Sequence, residues 1–580
     1  MLPAQLPFPL NVYALTLTLE YADARHLHFG VFDAEHGTSS LPQAQARAQD
    51  ALCALLPPPP ARILEVGCGT GALAQKLAAS GFEVVALTPL QAEFSALQES
   101  GQEGLQFILG DLASCRFEQP FDIVLLQQSA QYVDAMDLFA QVATQLRDGG
   151  QLLLADEFLL DDSVRKPEPL PLLANFLRLA QRCGFSAQRQ RELGRQVGEG
   201  LSLMAALIGK HRDTLSVQLG LAAAALQQLQ QGLVAMQANY ASARLGYTLL
   251  DLRYESSQVA TVFGNIHSCA ADAVPVLFER SFETPFDAAI WEWKYGQGRG
   301  RAVCVRQDGE LIGHYGGAPR EIRYFGEASK AIQICDVMVM PEHRSFVSRD
   351  TLFFKLAATF LEQQVGNCAE HLLGFGFPNM RVLKVARRLG LYDVTDEFIE
   401  IHYPLERADE TQEAYRVAPF DLDAPAAAGL IDGLWARMEI DLRERIVGVR
   451  DGGYWQYRYR SHPAWERGLY SCHGVTSTAN NAIVAVILLR QHEQGFLLMD
   501  IVAACQDMPV AIAALRDFLA LQAQSLRCRI TRAQADVLSL PGAQWQSLGI
   551  EIPCNIWTRG PGAEQLRGAW WLTAGDMDFL

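Results

Sequence analysis

The 580-residue sequence is most informative at first through what it lacks. No apolar run approaches the roughly 20 residues needed to cross a bilayer. The longest candidate, Ala482 to Leu489, has the length and branching of a buried strand. The opening Met1-Leu2-Pro3-Ala4-Gln5 has no basic region ahead of an apolar one, so no signal peptide is read. The 12 cysteines form no C-x-x-C pair and show no metal-ligand spacing, so no metal site is expected. Isolated thiols fit a reducing, cytoplasmic compartment. Basic stretches are also missing, and a net charge of −17 would repel a phosphate backbone, which argues against nucleic acid as a partner.

What is present describes a packed, multidomain protein. Hydrophobic residues make up 49% and charged residues 19%, and the length predicts two to four domains. After Leu56-Pro57-Pro58-Pro59-Pro60 the pattern alternates regularly. Strands are expected at Arg62 to Val66, Glu83 to Leu87, Leu105 to Leu109, Phe121 to Leu126 and Gln151 to Ala155. Helices are expected at Ala72 to Ser80, Leu90 to Glu99 and Ala135 to Arg147. Such alternation means βαβ units and a parallel sheet covered on both faces. Leu170 to Tyr240 reads as helical, Gly246 to Arg253 as a last strand, and a boundary is placed between Ser256 and His267.

The remainder repeats itself. Trp291-Glu292-Trp293-Lys294-Tyr295 is echoed by Trp455-Gln456-Tyr457-Arg458-Tyr459, and Asp336-Val337-Met338-Val339 by Asp500-Ile501-Val502-Ala503. Both echoes lie 164 positions apart (455 − 291 and 500 − 336), close to a domain length, so two copies of one fold are expected, divided near Asp421 to Ala428.

Glu65-Val66-Gly67-Cys68-Gly69-Thr70-Gly71 closes the first strand and opens a helix. Glycines let the backbone approach a ligand, and a helix start offers unpaired N–H groups. The segment resembles motif I of class I SAM-dependent methyltransferases. The resemblance extends from about Tyr13 to Arg253 and implies an S-adenosyl-L-methionine site at Glu65, Gly67, Cys68, Gly69 and Gly71. By the same resemblance Asp111 and Leu112 would hold the adenine, and Gln127 would line the methyl-donor pocket. The second strand ends in Thr88 where the family places an acid for the ribose. Arg25-His26-Leu27-His28-Phe29-Gly30 resembles the lead-in of the small-molecule branch, whose helical insert forms a lid over a small acceptor. His28, Glu157 and Tyr132 are candidates for a base or for acceptor binding, and equally for ordinary structural roles.

The first repeat resembles the GNAT N-acetyltransferase fold, with a hairpin across Gln307-Asp308-Gly309, a strand Ile332 to Met340 and a helix Thr351 to Gln364. The resemblance implies acetyl-CoA or another acyl-CoA held by Met338, Met340, Arg344, Arg349 and Asn379, with Asp336 as the base. The loop Arg344-Ser345-Phe346-Val347-Ser348-Arg349 lacks the family's later glycines, and Ala386 stands near the place of its general-acid tyrosine. The loop of the second repeat, Ala504-Cys505-Gln506-Asp507, has neither arginine nor glycine, so no CoA is expected there. The expected fold is α/β. A Rossmann-like doubly wound methyltransferase domain with a helical lid (1–260) is followed by two GNAT-like mixed α/β domains (268–420 and 428–580). Two readings follow from it. One is a bifunctional enzyme that methylates and acylates a small-molecule acceptor. In the other, the GNAT-like half is a non-catalytic scaffold for the substrate or a carrier protein. A homodimer is compatible with both.

Overall fold

The computed structural model describes residues 5–32, 40–97, 102–163, 165, 170–256, 261–268, 272–345, 348–404, 414–492 and 495–577. Part of the expected boundary, residues 257–260, lies outside them. The chain divides into two compact units, the first ending at Gly264 and the second running from Asn265 to Leu580. Among the described residues, no helix is long and apolar enough to cross a membrane.

The first unit begins with α1 (Leu10–Tyr21) and α2 (Leu41–Cys53), the latter started by a capping box between Ser40 and Gln43. The alternation then runs β1 (Arg62–Val66), α3 (Ala72–Ala79), β2 (Glu83–Thr88), α4 (Gln91–Leu97), β3 (Leu105–Leu109), β4 (Phe121–Gln127), α5 (Ala135–Gln145) and β5 (Leu146–Leu159). Asp134 starts α5 by accepting from Met136 N and Asp137 N. Next come α6 (Leu173–Arg182), β6 (Phe185–Glu192), α7 (Gly194–Lys210), α8 (Arg212–Leu219), α9 (Ala223–Ala241) and β7 (Leu245–Tyr254). The sheet order is β3-β2-β1-β4-β5-β7-β6, with β1 parallel to both β2 and β4 and β7 antiparallel to its two neighbours. This is a Rossmann-like sheet whose order reverses between β1 and β4. A ligand crevice is expected beyond the carboxyl ends of those two strands.

One strand was not foreseen. β6 falls inside the stretch read as helical. Phe185-Ser186-Ala187-Gln188-Arg189-Gln190-Arg191-Glu192 lies at the sheet edge with Phe185 buried and the last six residues exposed. A strand this polar lacks the alternation that reveals a half-buried one.

A short strand β8 (Val262–Asn265) straddles the unit boundary. The second unit continues with α10 (Ala273–Phe282), α11 (Ala288–Tyr295), β9 (Arg301–Gln307), β10 (Glu310–Tyr324), β11 (Glu327–Val339), α12 (Leu352–Gln364), β12 (Leu373–Gly376), α13 (Met380–Arg388) and β13 (Tyr392–His402). The hairpin turn between β9 and β10 places Asp308 at φ 51° and Gly309 at φ 86°, the two positive values that a type I′ turn requires. Cys304 on β9 is disulfide-bonded, which corrects the expectation that all the thiols are isolated.

The chain continues with β14 (Tyr415–Pro419), which precedes the expected second copy, and then with α14 (Ala427–Asp441), β15 (Ile446–Gly448), a helical segment Gly452–Arg460, β16 (Tyr470–Ser477), β17 (Ile483–His492), β18 (Gly495–Ala503), α15 (Met508–Ala520), β19 (Ser525–Thr531), β20 (Gln544–Asn555) and β21 (Trp570–Trp571). Strands cross between the copies. The seven-stranded sheet runs β14-β16-β17-β18-β19-β13-β20, so β13, from the first copy, is an interior strand of the second copy's sheet. It pairs antiparallel with its own counterpart β20, from Tyr392 opposite Asn555 to His402 opposite Gln544. In return, β15 pairs with β10 at Ile322 to Tyr324. One core accordingly mixes Ile322, Leu373 and Phe375 with Ile552, Trp570 and Leu572.

Candidate functional site

The crevice at the ends of β1 and β4 is built by the glycine turn. Gly67, Gly69 and Gly71 adopt φ of 77°, 54° and 75°, a region that side chains disfavour. Gly67 N and Cys68 N both donate to Leu87 O at 2.9 Å, which locks the turn onto β2. A methyl on Gly67 would lie 2.7 Å from Ser129 Cβ and one on Gly71 2.6 Å from Leu97 Cδ2, whereas Gly69 has nothing within 4 Å. Gly69 therefore faces open space in front of the α3 start, where a ligand can approach the backbone.

Glu65 is 3% exposed at the end of β1, and its Oε2 has no hydrogen-bond partner. Burial pushes its carboxyl up to about 8. An orphaned buried carboxyl beside an open glycine turn fits a ligand that brings its own donors, such as an ammonium group. Cys68 is buried in the same turn. Asp111 lies after β3, where it accepts from Ser114 N at 2.8 Å, and Leu112 beside it is buried.

Thr88 stands where an acid was expected, and the structure supplies one from elsewhere. Its hydroxyl donates to the Glu93 carboxylate, which is itself buried on α4. Sequence reading missed Glu93 because it lies five residues past the strand end.

The lead-in is tied over the turn at three points. Thr70 Oγ1 donates to Arg25 O. Gln45 Nε2 donates to His26 O at 3.0 Å and to His28 O at 2.7 Å. Phe29 N donates to Gln128 Oε1 at 2.9 Å, and Gln128 holds an unusual φ of 53° at the end of β4. These ties hold the segment that carries His28. Its Nδ1 donates to Phe29 O at 2.9 Å, its Nε2 has no partner, and burial drives its pKa down to about 4, so the ring is neutral near pH 7. Glu157 on β5 is 5% exposed and accepts from Tyr240 Oη on α9 at 2.5 Å. It sits directly opposite Tyr247 on β7, beside which Gln127 also lies. Asp156 is spent on Ala130 N and Glu157 N, both at 2.8 Å. Tyr132 is 80% exposed. Sequence reading singled out His28, Glu157, Tyr132 and Gln127. It missed Tyr13, Tyr240 and Tyr247, which come from three elements with no shared motif.

The second unit holds a different polar cluster. Asp336, in β11 at φ 49°, accepts from Lys294 Nζ and Tyr295 Oη, both at 2.8 Å. Burial alone would raise its carboxyl, but the adjacent Lys294 ammonium outweighs this and holds it below the usual range. Met338 and Met340 are buried. Arg344 donates to Val339 O at 2.9 Å and Ser281 O at 2.8 Å, and Arg349 to Leu389 O at 3.1 Å. Residues 346 and 347 of this loop lie outside the described residues. Asn379 caps α13 by accepting from Val382 N at 3.0 Å.

The second copy repeats the tyrosine–aspartate pair and changes its surroundings. Tyr459 Oη donates to Asp500 at 2.5 Å, as Tyr295 does to Asp336. Here Arg450, fully buried, bridges Asp500 at 3.3 Å and Asp576 at 2.6 Å. The loop amide of Cys505 is taken by Asp441. The aromatic repeats meet each other. Trp293 and Tyr457, 164 positions apart, stack at 5.4 Å between centroids, and Trp293 Nε1 donates to Tyr457 O at 3.0 Å. These side chains form the junction between the copies.

Residues 63–150 match the family described as a methyltransferase domain, and residues 267–393 the acetyltransferase (GNAT) domain. Uncharacterized methyltransferases of Mycobacterium bovis and Mycobacterium tuberculosis are each 32% identical over 99 residues, 17% of this chain. The match spans 40% of the length of those relatives. Among solved structures, the cyclopropane synthase MmaA2 of Mycobacterium tuberculosis is 19% identical, covering 41% of this chain and 93% of its own, with a TM-score of 0.34. The [4+2]-cyclase SpnF is 20% identical, covering 43% of this chain and 97% of its own, with a TM-score of 0.35. The chain thus joins a methyltransferase domain to an acetyltransferase (GNAT) domain.

Proposed function

We propose that the first unit is a SAM-dependent methyltransferase acting on a small-molecule acceptor. The observation that carries this is the open Gly69 beside the orphaned Glu65 carboxyl at the sheet's switch point. Glu65 and the amides of the turn would hold the cofactor's amino-acid end, Thr88 and Glu93 its ribose, and Asp111 with Leu112 its adenine. SAM supplies an electrophilic methyl group on a sulfonium. The protein's contribution is alignment. Thr70, Gln45 and Gln128 fix the lead-in so that His28 closes the crevice, which orients the acceptor and excludes water.

The GNAT-like half is read as two copies of one fold, 268–420 and 428–580, joined by strand exchange. In the bifunctional reading the first copy takes an acyl-CoA against Arg344 and Arg349, with Asp336 as the base. A second reading, a scaffold for substrate or a carrier protein, is favoured by the engagement of all three groups with other parts of the chain. Isothermal titration of the full chain with S-adenosylhomocysteine and, separately, acetyl-CoA tests both halves. Micromolar binding of the first is expected, and its absence would refute the methyltransferase reading. Acetyl-CoA binding at comparable strength would refute the scaffold.

A further inference from the structure

In a chain of net charge −17, α13 concentrates four cations and no acid in nine residues. Leu383 and Ala386 are buried, while Arg381, Lys384, Arg387 and Arg388 are all exposed. The end of this helix borders an open cavity of about 440 Å3, walled by Lys384, Arg387, Arg388, Tyr392, Asp393 and Ile556. Small-molecule sites commonly span roughly 300–1,000 Å3, so the space suits a small ligand.

Three cations of the wall face one carboxylate, and that carboxylate is already engaged. Asp393 accepts from Arg387 at 3.3 Å and from Val394 N at 2.8 Å. A further cation stands at the adjoining turn, where Arg349 donates to Leu389 O and a methyl on Gly390 would lie 3.1 Å from its Nη2. The carbonyl end of a helix favours cations, which accounts for Arg387 and Arg388 in the last turn. It does not account for Lys384. That residue stands one turn from both arginines, where like charges repel, and has no ion-pair partner among the described residues. An anion lying among the three would reverse the repulsion.

The chemistry of the wall narrows the anion. A phosphate monoester brings close to two charges and three acceptor oxygens, which match forked guanidinium groups better than a single carboxylate does. Ile556 is 48% exposed, and the Tyr392 hydroxyl is spent on Tyr315 at 2.7 Å, so these two offer apolar surface to the rest of the ligand.

We propose that the cavity at the end of α13 binds the phosphate monoester of an organic molecule, with the phosphate among Lys384, Arg387 and Arg388 and the carbon-bearing part against Ile556. The site stands whether the GNAT-like half transfers an acyl group or serves as a scaffold. Two sources carry such a group: the 3′-phosphate of coenzyme A and the phosphate of another metabolite.

The test titrates the full chain at low ionic strength and pH 8, where the monoester is a dianion, with phenyl phosphate and with its singly charged isostere phenyl sulfate. The phosphate is expected to bind at least tenfold more tightly. Lys384→Gln should weaken it at least fivefold, whereas Arg381→Gln, on the same helix but outside the wall, should change it less than twofold. Asp393→Asn removes the wall's one carboxylate and should tighten it about threefold. Tryptophan-monitored unfolding confirms that each variant is folded. Coenzyme A against 3′-dephospho-coenzyme A identifies the source. A tenfold preference for coenzyme A that Lys384→Gln removes assigns the site to the coenzyme, and equal binding or no binding of the two assigns it to another metabolite. Failure of phenyl phosphate to bind, equal binding of phosphate and sulfate, or equal losses in Lys384→Gln and Arg381→Gln would overturn the site, the last by reducing it to a diffuse basic surface.

Discussion

Glu65→Gln isolates the energetics of the glycine turn in one atom. The carboxyl is protonated up to about 8 in the folded chain, against an ordinary value of 4.5, because burial penalises its charged form. Between those pH values the folded state holds a proton that the unfolded state has released, so stability falls as pH rises. The interval, at about 1.4 kcal/mol per pH unit, sets a ceiling of about 5 kcal/mol for the loss by pH 8. Glutamine has the same shape and no charge, so the variant should match the wild type near pH 4.5 and exceed it increasingly towards pH 8. All nine tryptophans lie between residues 291 and 571, so their fluorescence is blind to the first unit. Hydrogen exchange of peptides from β1 and β4, corrected for the intrinsic effect of pH, follows the right region. S-adenosylhomocysteine should also bind more tightly as pH rises towards 8, because the ionised carboxylate pairs with the ligand's ammonium group, and Glu65→Gln should abolish that dependence. Equal pH slopes in wild type and variant would refute the reasoning.

Two further outcomes follow from the geometry. At Gly69→Leu the new Cβ meets no neighbour, so the change should cost only about 1–2 kcal/mol of backbone strain while weakening S-adenosylhomocysteine more than a hundredfold. Gly67→Leu, driven into Ser129, should instead lower the unfolding free energy by several kcal/mol, and paired denaturation and titration experiments separate the two cases. Arg450→Met strands Asp500 and Asp576 in the core, and should cost about 3–5 kcal/mol by tryptophan-monitored denaturation. A loss below 1 kcal/mol would show that the network is not sustained by the arginine.

The alternation from Arg62 to Ala155 was legible because parallel strands buried on both faces read as short apolar runs between helices. The glycine turn was legible because φ values of 54–77° restrict the residues that can occupy it. β6 was not, since its outward residues have no core to face. Glu93 was not, since it lies five residues past the strand end, and Tyr240 was not, since it meets Glu157 through tertiary packing alone. The repeat at 164 residues held no hint of which sheet β13 would join, because local periodicity sets a strand's faces and leaves its partners open.

The exchange of β13 has a consequence for how such a chain can change over time. The second copy has neither arginine nor glycine in its loop, yet a cut near residue 420 would leave β13 without either of its paired neighbours, β19 and β20. The two copies are hostage to each other's backbone. Mutation is free to erase the ligand chemistry of one copy, but deletion cannot remove that copy without unravelling the other.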